Sequence, residues 1–559
     1  MKALIFNSGL GRRMGHMTEE THKSLAVLSD GETILERQIR LLSECGIKEF
    51  VITTGPFADQ LKTVCAKYPE LTFRFVANDI YFKTNYIYSF YLTKEYLDDD
   101  FLTLHGDLVF NKKLVKAVLE NPAPSVGLIN KTLPKPEKDF KARVIDGYVK
   151  EVGINIFEDN CYAFQPLYKL AKKDLLAWWA RVADFINSGN DRVYAENALN
   201  EITDSVLIKA MRYDNYFIEE IDNEEDYARV TAGIREFDFD EQEQYDSPEI
   251  LKTLKKPLVV AGSMKDFFKG YKTFSGYTAN PKYEEVMEGL KAFEGCDSII
   301  SVGGGSAIDV AKAIKYYSCL DGNGKFVYKN IKHVAVPTTA GAGSESTRYA
   351  VIYKDGEKLS ITHDALFPDA VVFCPELIKT LPLYQKKCAL LDALCHAIES
   401  IWSVYATEKS VAYAQSAIEL IKENAAAYIS GDEGIIPAVQ KAANLAGKAI
   451  NVSRTTASHA LAYKLTTRYG LPHGYAVALT VPYFWKLLAE NGYAPLGKEN
   501  ITLSEFEKLL DVMELSDKTD IPVSDLPVLT GAVNTERLKN FPLPLTEEQI
   551  KGAYLYISR

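Results

Sequence analysis

The sequence has little of several features that mark specialised classes of protein. Its eight cysteines include no C-x-x-C pair, which predicts free thiols rather than a disulfide framework. No run of about 18 apolar residues occurs, so no membrane insertion is expected. The opening MKALIFNSGLGRRMG has too short an apolar region for a secretory signal peptide. These absences predict a cytoplasmic protein.

Basic residues are also fewer than acidic ones. The chain has 64 Lys and Arg against 75 Asp and Glu, a net charge of −11. Such a surface repels nucleic acid, so the expected partners are small-molecule substrates. At about 100–200 residues per domain, 559 residues suggest three or four folding units. The sequence leaves open whether the protein is a homo-oligomer.

Strands and helices alternate in the first part of the chain. The apolar runs KALIF and FVITTG flank the helical pattern TILERQIRLLSECG, which predicts a parallel α/β sheet. The charged segment GIREFDFDEQEQYDSPEI breaks this alternation and is interpreted as a linker. A new α/β pattern begins at KPLVVAG, and helical sequence dominates from about residue 376. The predicted divisions are 1–233, a linker at 234–250, a lobe at 251–375 and a helical lobe at 376–559.

A glycine-rich turn follows the first strand. Gly9 and Gly11 would let backbone N–H groups approach an anionic phosphate. Arg12 and Arg13 can neutralise phosphate charge, and Lys23 adds a further cation. The pattern indicates a phosphate-binding loop.

This segment resembles the signature G-x-G-x-R-M of the sugar-nucleotidyltransferase-like superfamily, with Lys23 at the family's lysine position and His22 where a proline is usual. The resemblance covers about 1–232 and implies a Rossmann-like domain. It also implies that Asp107 and Asp222 hold Mg²⁺ against the nucleotide phosphates, which neutralises charge on the leaving pyrophosphate. The candidate catalytic residues are Lys23, Arg13, Asp107 and Asp222, and the candidate nucleotide-binding residues are Gly9, Gly11, Arg12, Lys23 and Asn85.

The similarity is closest to cytidylyltransferases that activate choline phosphate or 2-aminoethylphosphonate, as in GETILERQIRLLSECGI and RVYAENALNEI. It implies CTP as a substrate and attack of a phosphonate oxygen on the α-phosphorus. Lys138 and Lys141 in PKPEKDFKARV suit a dianionic phosphonate, and Glu196 is a further candidate contact. Asn85 fits a place near the nucleotide and a helix start equally well.

A second glycine turn follows the strand SIISV at 303–312, GGGSAIDVAK. Bare N–H groups at a helix N-terminus form a pyrophosphate site. Further along, Asp392 and His396 lie four residues apart, so they share one face of a helix. With His459 and His473 they form a mixed oxygen and nitrogen set suited to Fe²⁺ or Zn²⁺.

Together these segments resemble the iron-containing (group III) alcohol dehydrogenase family, whose metal ligands match Asp392, His396, His459 and His473. The resemblance implies an α/β dinucleotide-binding lobe, an all-helical metal-binding lobe and an NAD(P)H cofactor. The metal would polarise an aldehyde oxygen while the nicotinamide delivers hydride. The implied cofactor contacts are Gly303, Gly304, Gly305, Ser306, Thr338, Thr339 and Lys358.

Two departures from that family bear on the chemistry. Tyr463 stands where many members have a further histidine, and either donates a proton or packs. The strand KPLVVAG ends in Gly262–Ser263–Met264 rather than in an acidic residue, which favours NADPH over NADH.

The second half is most similar to phosphonoacetaldehyde reductases, through SESTRYAVIYKDGEK and LPLYQKKCALLDAL. The joint expectation is reduction of phosphonoacetaldehyde to 2-hydroxyethylphosphonate, followed by CMP transfer. Two alternatives stay open. One is CDP-polyol synthesis from a phosphorylated carbonyl precursor, and the other is a 2-aminoethylphosphonate cytidylyltransferase joined to an inactive dehydrogenase-like scaffold.

Overall fold

The chain folds into two compact units, Met1–Glu241 and Gln242–Arg559. A computed structural model describes both units. It covers the chain apart from Leu10, Glu241, Ser263, 265–267, Lys269, 494–497 and Arg559, and apart from the side chains of Arg12, His16, Met17 and Asp240. Within the described part of the chain, no helix combines the length and apolar character needed to cross a bilayer.

The first unit is a mixed sheet flanked by helices. Its strands are β1 Lys2–Asn7, β2 Glu49–Thr54, β3 Thr72–Ala77, β4 Phe101–His105, β5 Leu108–Phe110, β6 Val126–Asn130, β7 Lys141–Ile145, β8 Tyr148–Gly153, β9 Cys161–Leu170, β10 Ile208–Arg212 and β11 Ile218–Glu220. Its helices are α1 Ile34–Glu44, α2 Ala58–Cys65, α3 Tyr86–Tyr91, α4 Lys112–Glu120, α5 Lys172–Asn187, α6 Ala195–Asn200 and α7 Glu224–Asp240.

The main sheet has the order β3-β2-β1-β4-β9-β6-β10-β8-β7. The β3-β2-β1-β4 part is parallel, as predicted. The prediction of a parallel sheet is wrong beyond β4, because β9 runs antiparallel to β4, β6 and β7. The hairpin of β7 and β8 reverses the chain without a helical crossover, which an antiparallel pairing permits.

Both faces of this sheet are covered. In β1, Ala3 and Ile5 pack into one apolar core, while Leu4 packs into the core on the opposite face. A strand buried on both faces is a continuous apolar run, as KALIF is. Helix α1 begins at a capping box, in which Thr33 and Glu36 each accept a hydrogen bond from the other's backbone N–H.

The segment 234–250, predicted as a linker, contains regular structure on both sides of the division between the units. Helix α7 continues to Asp240 and buries Val230 and Ile234 against the first unit, with Phe237 packed beside them. The apolar spacing of three to four residues is helical, but acidic neighbours hide it in the sequence. Beyond the division, β12 (Glu243–Tyr245) pairs with a strand of the second unit.

The second unit begins with a parallel sheet that is covered on both faces. Besides β12, its strands are β13 Pro257–Ala261, β14 Lys272–Phe274, β15 Ser298–Gly303, β16 Lys332–Pro337 and β19 Ala370–Val372. Their order is β12-β19-β16-β15-β13-β14. An antiparallel hairpin is formed by β17 Tyr349–Lys354 and β18 Glu357–Thr362. The helices of this lobe are α8 Tyr283–Phe293, α9 Gly305–Ser318 and α10 Pro375–Lys379.

The remainder of the second unit is helical and surrounds a separate apolar core. Its helices are α11 Leu383–Trp402, α12 Glu408–Ser430, α13 Ile436–Ser453, α14 Ala457–Tyr469, α15 His473–Glu490, α16 Leu503–Val512, α17 Leu526–Gly531, α18 Thr535–Leu538 and α19 Glu547–Ile557. Helices α11, α14 and α15 pack together and position the predicted metal ligands.

Candidate active sites

The predicted metal ligands lie on neighbouring helices of the helical lobe. Asp392 and His396 share one face of α11, His459 lies in the first turn of α14, and His473 begins α15. The four side chains therefore meet although up to 81 residues separate them in sequence.

A glycine beside His473 permits this approach. A Cβ atom on Gly474 would lie 2.2 Å from the carbonyl oxygen of Cys388 and 2.6 Å from the Cβ of Asp392. Such distances are far below van der Waals contact, so only glycine lets the start of α15 pack this closely against α11. The dipeptide His473–Gly474 combines a ligand with the residue that positions it.

The donor atoms converge without bonding one another. One ligand atom each of Asp392, His459 and His473 lies within 4.8 Å of the others. His459 Nε2 is 3.7 Å from Asp392 Oδ1, and both atoms are buried without a hydrogen-bond partner among the described residues. His396 Nε2 lies 3.9 Å from the same oxygen. Because these distances exceed a hydrogen bond, the carboxylate and imidazole set fits a divalent ion such as Fe²⁺ or Zn²⁺.

Glu399, one turn beyond His396 on α11, fixes the orientation of His459. It is fully buried, accepts a hydrogen bond from His459 Nδ1, and also accepts from Ser458 N at 2.8 Å and from the Thr456 hydroxyl. Burial alone would lower the pKa of His459, but the Glu399 and Asp392 carboxylates raise it to about 9. A carboxylate behind the Nδ1–H leaves Nε2 directed toward the ligand cluster.

The glycine turn lies between β15 and α9. A Cβ on Gly303 would lie 2.6 Å from the Cβ of Ala307, and a Cβ on Gly305 would lie 3.1 Å from that of Ala342. Thr338 N donates to Gly303 O at 3.0 Å, and the Thr339 side chain packs against Gly304. Bare backbone at a helix N-terminus fits the pyrophosphate of a dinucleotide.

The glycine turn and the metal ligands border the same cavity, which has a volume of about 620 Å³. Gly305 and Ser306 line one part of it, and the Ser306 hydroxyl donates to the carbonyl of Ala279. Lys358 and Tyr463 line the part beside the ligands. One cavity therefore adjoins both the candidate cofactor turn and the candidate metal centre.

Tyr463 packs directly on a metal-ligand candidate. Its ring lies 5.4 Å from that of His473, nearly parallel at 22°. Lys358 Nζ lies 3.1 Å from the centre of the Tyr463 ring, and Arg537 Nη1 donates to the Tyr463 hydroxyl. Burial raises the pKa of Tyr463, so the hydroxyl holds its proton at neutral pH.

In the first unit, Lys23 joins the two predicted magnesium ligands. Its Nζ lies 2.8 Å from Asp107 Oδ2 and 2.7 Å from Asp222 Oδ1. Arg13 reaches the other Asp222 oxygen at 3.2 Å. Asp107 Oδ1 is buried and has no hydrogen-bond partner among the described residues. Burial works to raise the pKa of Asp107, but Lys23 and His105 hold it below its usual value, so an anionic oxygen remains for Mg²⁺.

The phosphate loop depends on Gly11. Its φ of +61° is left-handed, and a Cβ there would lie 2.9 Å from the Cβ of Lys23. Glycine therefore lets the loop pass over the lysine that binds both aspartates. Gly9 has open space around its Cα, because no heavy atom lies within 4 Å of the position that a Cβ would occupy. The side chain of Arg12 lies outside the described residues.

Two residues that are predicted to contact substrate in the first unit form hydrogen bonds within the protein instead. Asn85 caps α3 by accepting from Tyr86 N, so the helix-start alternative holds. Glu196 is buried and accepts from the hydroxyls of Tyr86 and Tyr168. Neither side chain lies free to contact a substrate in this arrangement.

Of the two predicted phosphonate lysines, Lys141 differs from expectation and Lys138 does not. The Lys141 side chain is fully buried and its ammonium donates to the carbonyls of Pro136 and Asp139, which corrects the prediction of a free cation. Its position on strand β7 directs it into the loop that precedes that strand. Lys138 is exposed to solvent.

Two residues of this site are absent from the sequence analysis. His105 and Glu220 each precede a predicted aspartate by two residues, and His105 Nδ1 lies 3.3 Å from Glu220 Oε1. Ligand atoms of His105, Asp107 and Glu220 lie within 4.8 Å of one another. The repeated pattern of a titratable residue two positions before each aspartate, in LHGD and EEID, is the signal that could have identified them.

Comparisons with known families match segments of both units. Residues 3–136 match the family model of the MobA-like NTP transferase domain. Residues 246–375 match that of iron-containing alcohol dehydrogenases, and residues 388–527 match the C-terminal model of the same family. The NADPH-dependent butanol dehydrogenase of Clostridium saccharobutylicum is 31% identical over 319 residues, which are 50% of this chain and 82% of that protein. The chain belongs to the iron-containing alcohol dehydrogenase family.

A second relative of this dehydrogenase is the phosphonoacetaldehyde reductase of Streptomyces viridochromogenes, 34% identical over 221 residues. The match covers 36% of this chain and 55% of the length of that reductase. The iron-containing alcohol dehydrogenase of Thermococcus thioreducens matches in structure with a TM-score of 0.51 and 26% identity, over 56% of this chain and 97% of that one. The chain is thus an enzyme that joins a nucleotidyltransferase domain to an iron-type dehydrogenase.

The position of Glu399 predicts a measurable effect on metal affinity. We expect Glu399→Gln to weaken binding of Fe²⁺ or Zn²⁺ by about 10–100-fold, the usual result of altering a residue that orients a ligand. An amide that donates to Nδ1 would shift the proton of His459 to Nε2, the atom that faces the ligand cluster. Competition against a chelator measures the affinity. Glu423→Gln, at an exposed position of α12, is the control, and equal affinities in the two variants would contradict the role of Glu399.

Proposed function

We propose that the chain is a bifunctional enzyme of phosphonate metabolism. The second unit reduces phosphonoacetaldehyde to 2-hydroxyethylphosphonate with NAD(P)H, and the first unit transfers CMP from CTP to the phosphonate. The observation that supports this most is the shared cavity, in which Asp392, His459 and His473 lie with Gly305 and Ser306. The similarity to a phosphonoacetaldehyde reductase supports the choice of substrate.

Reduction adds a hydride to the aldehyde carbon and a proton to its oxygen. A divalent metal held by Asp392, His396, His459 and His473 supplies a Lewis acid for that oxygen. Tyr463 is our candidate for the proton donor, because Arg537 donates to its oxygen and leaves the phenolic hydrogen free for another acceptor. The dinucleotide is oriented at the N-terminus of α9 by Gly303–Ser306, Thr338 and Thr339.

CMP transfer forms a bond between a phosphonate oxygen and the α-phosphorus of CTP, and breaks the bond to the β-phosphate, so pyrophosphate leaves. Mg²⁺ held by Asp107 and Asp222 supplies charge neutralisation on the phosphates. Lys23 and Arg13, both bound to Asp222, place positive charge at the same point. The protein contributes to catalysis mainly by positioning the reactants and by electrostatic stabilisation of the transition state. Lys138 stays a candidate contact for the phosphonate.

A ³¹P NMR time course tests both activities in one sample. The full chain is incubated with Mg²⁺, Fe²⁺, NADPH, CTP and phosphonoacetaldehyde. The expected result is loss of the aldehyde resonance, appearance of an alcohol phosphonate, and then a coupled phosphonate–phosphate pair. Omitting NADPH should stop the first change, and omitting CTP should stop only the second. An untouched aldehyde would overturn the reductase assignment, and an untouched phosphonate would overturn the transferase assignment.

A further inference from the structure

One wall of the dehydrogenase cavity has positive charge without matching negative charge. Lys358, Arg454 and Arg537 line the cavity that contains the metal-ligand candidates. In the described part of the chain, no carboxylate forms an ion pair with any of the three. The lining carboxylate of Glu536 pairs with Lys539 instead, and that of Asp309 accepts hydrogen bonds from Ser344 and Val351. The third lining carboxylate, Asp392, faces His396 and His459, so neither Arg454 nor Arg537 has an ion-pair partner among the described residues.

The cations are concentrated around Tyr463. Lys358 Nζ lies 3.1 Å from the centre of the Tyr463 ring, and the guanidinium carbon of Arg537 lies 5.0 Å from the same centre. Burial, and then the charge of Arg537, lower the pKa of Lys358 to about 6. Lys358 is therefore largely uncharged near neutral pH, and Arg537, which has no ion-pair partner in the described part of the chain, supplies the positive charge that favours a bound anion.

Two further features of the cavity lining point to a bound ligand. Arg454 has φ 65° and ψ 173°, a backbone conformation that residues other than glycine rarely adopt. Strain of this kind persists mainly at ligand-binding and active sites. The Thr466 hydroxyl oxygen, one turn beyond Tyr463, is buried and has no hydrogen-bond partner among the described residues. A buried oxygen of this kind is expected to find a partner in the native complex.

We propose that Arg537, supported by Arg454 at the rim and by the Thr466 hydroxyl, is the subsite that binds the anionic end of the aldehyde substrate. Lys358, also a candidate cofactor contact, is largely uncharged near neutral pH and is not part of this subsite. The proposal rests on the proposed reductase function. Arg537 recognises the dianion by a forked, charge-assisted pair of hydrogen bonds.

Tyr463 contacts both Arg537 and the metal-ligand candidate His473. Arg537 Nη1 donates to the Tyr463 hydroxyl, and the Tyr463 ring lies 5.4 Å from that of His473. The proposed anion subsite and the candidate metal centre therefore border the same side chain. Phosphonoacetaldehyde, in which two bonds join the carbonyl carbon to phosphorus, has its anion close to its carbonyl and suits this arrangement.

The test compares a charged and a neutral aldehyde in the metal-loaded full chain. We measure kcat/KM with NADPH for phosphonoacetaldehyde and for propionaldehyde, and take the ratio of the two. Arg537→Gln should lower this ratio roughly 10²-fold, as expected when one partner of a desolvated charge pair is removed. Arg537→Lys, which keeps the charge and loses the fork, should lower it by a smaller factor.

Two controls separate anion recognition from the bond between Arg537 and Tyr463. Tyr463→Phe removes the hydroxyl and keeps the cations, so both aldehydes should slow equally and the ratio should not change. Lys508→Gln alters an exposed cation of α16, outside the cavity, and should leave the ratio unchanged. Circular dichroism establishes that each variant folds, and Arg454→Gln provides a second cavity variant if Arg537→Gln does not.

The outcomes distinguish the two proposals. A wild-type ratio near one would overturn the proposed reductase function itself. A wild-type enzyme that prefers the phosphonate, together with unchanged ratios in Arg537→Gln and Arg454→Gln, would overturn the subsite and leave the function standing. A lower ratio in the arginine variants alone supports both.

Discussion

An Asp392→Asn enzyme is expected to lose aldehyde reduction while it keeps nucleotidyl transfer at the wild-type rate. The substitution keeps the shape of the side chain and removes the anionic oxygen that faces His459 and His396. A loss of about 4 kcal/mol of transition-state stabilisation corresponds to about a thousandfold in rate. We therefore expect kcat/KM for the aldehyde, followed by NADPH oxidation, to fall by about that factor or more.

A thermal readout tests the same residue without activity. An ion that binds only the folded state raises the unfolding temperature, and tighter binding at the same concentration raises it further. Added Fe²⁺ or Zn²⁺ should therefore raise the melting temperature of the wild-type chain and have little effect on Asp392→Asn. Asp511→Asn, at an exposed position of α16, should behave as the wild type. A variant that reduces aldehyde normally, or that still gains stability from the metal, would contradict the assignment of Asp392.

Local sequence patterns predicted the parts of this molecule that depend on neighbouring residues. The spacing of Asp392 and His396 places them on one face of α11, and the glycines at 303–305 follow a strand and precede a helix as expected. Each of these relations lies within one or two consecutive elements. The regular spacing of residues along a helix or a strand is enough to predict them.

The residues that the sequence analysis missed act across long separations. Arg537 reaches Tyr463 from a four-residue helix 74 positions away, and Glu399 reaches His459 from 60 positions away. Neither belongs to a local motif. Their roles follow from how α11, α14 and the segment after α17 pack, which the pattern of apolar residues does not specify.

Two predictions depart from the structure for a different reason. A cluster of lysines predicts an exposed patch, yet the ammonium of Lys141 binds backbone carbonyls beneath the surface. The charge of the segment 234–250 predicts a linker and obscures the apolar positions of α7. Composition indicates average exposure, whereas the direction of each side chain depends on tertiary packing.

For the first unit, Asp107→Asn is expected to abolish CMP transfer and to leave aldehyde reduction unchanged. Lys23 binds Asp107 and Asp222 together, and the remaining Asp107 oxygen is buried with no hydrogen-bond partner in the part of the chain that the structure describes. An amide in its place offers a weaker ligand to Mg²⁺ and no charge to Lys23. Removing one such electrostatic element costs about 10²–10³-fold in rate. Release of pyrophosphate from CTP, with 2-hydroxyethylphosphonate as acceptor, provides the measurement.

Asp59→Asn is the matched control, because Asp59 is exposed on α2 and pairs only with Lys62 at 3.2 Å among the described contacts. It should transfer CMP at the wild-type rate. Normal transfer by Asp107→Asn would show that this carboxylate has no part in binding the ion. A loss of aldehyde reduction in the same variant would show that the substitution disturbs more than the first unit.

A double variant decides whether Asp107 and Asp222 act on one ion. If both carboxylates hold the same Mg²⁺, the first substitution already removes most of the site, so Asp107→Asn with Asp222→Asn should cost clearly less than the sum of the single losses. If each carboxylate acts separately, the losses in free energy add. A titration with Mg²⁺ separates affinity from rate, because weaker binding of a shared ion raises the concentration needed for half-maximal transfer in both single variants. If the losses in free energy add, and the Mg²⁺ concentration for half-maximal transfer does not change, the two aspartates do not share an ion. Their role would then be limited to binding Lys23.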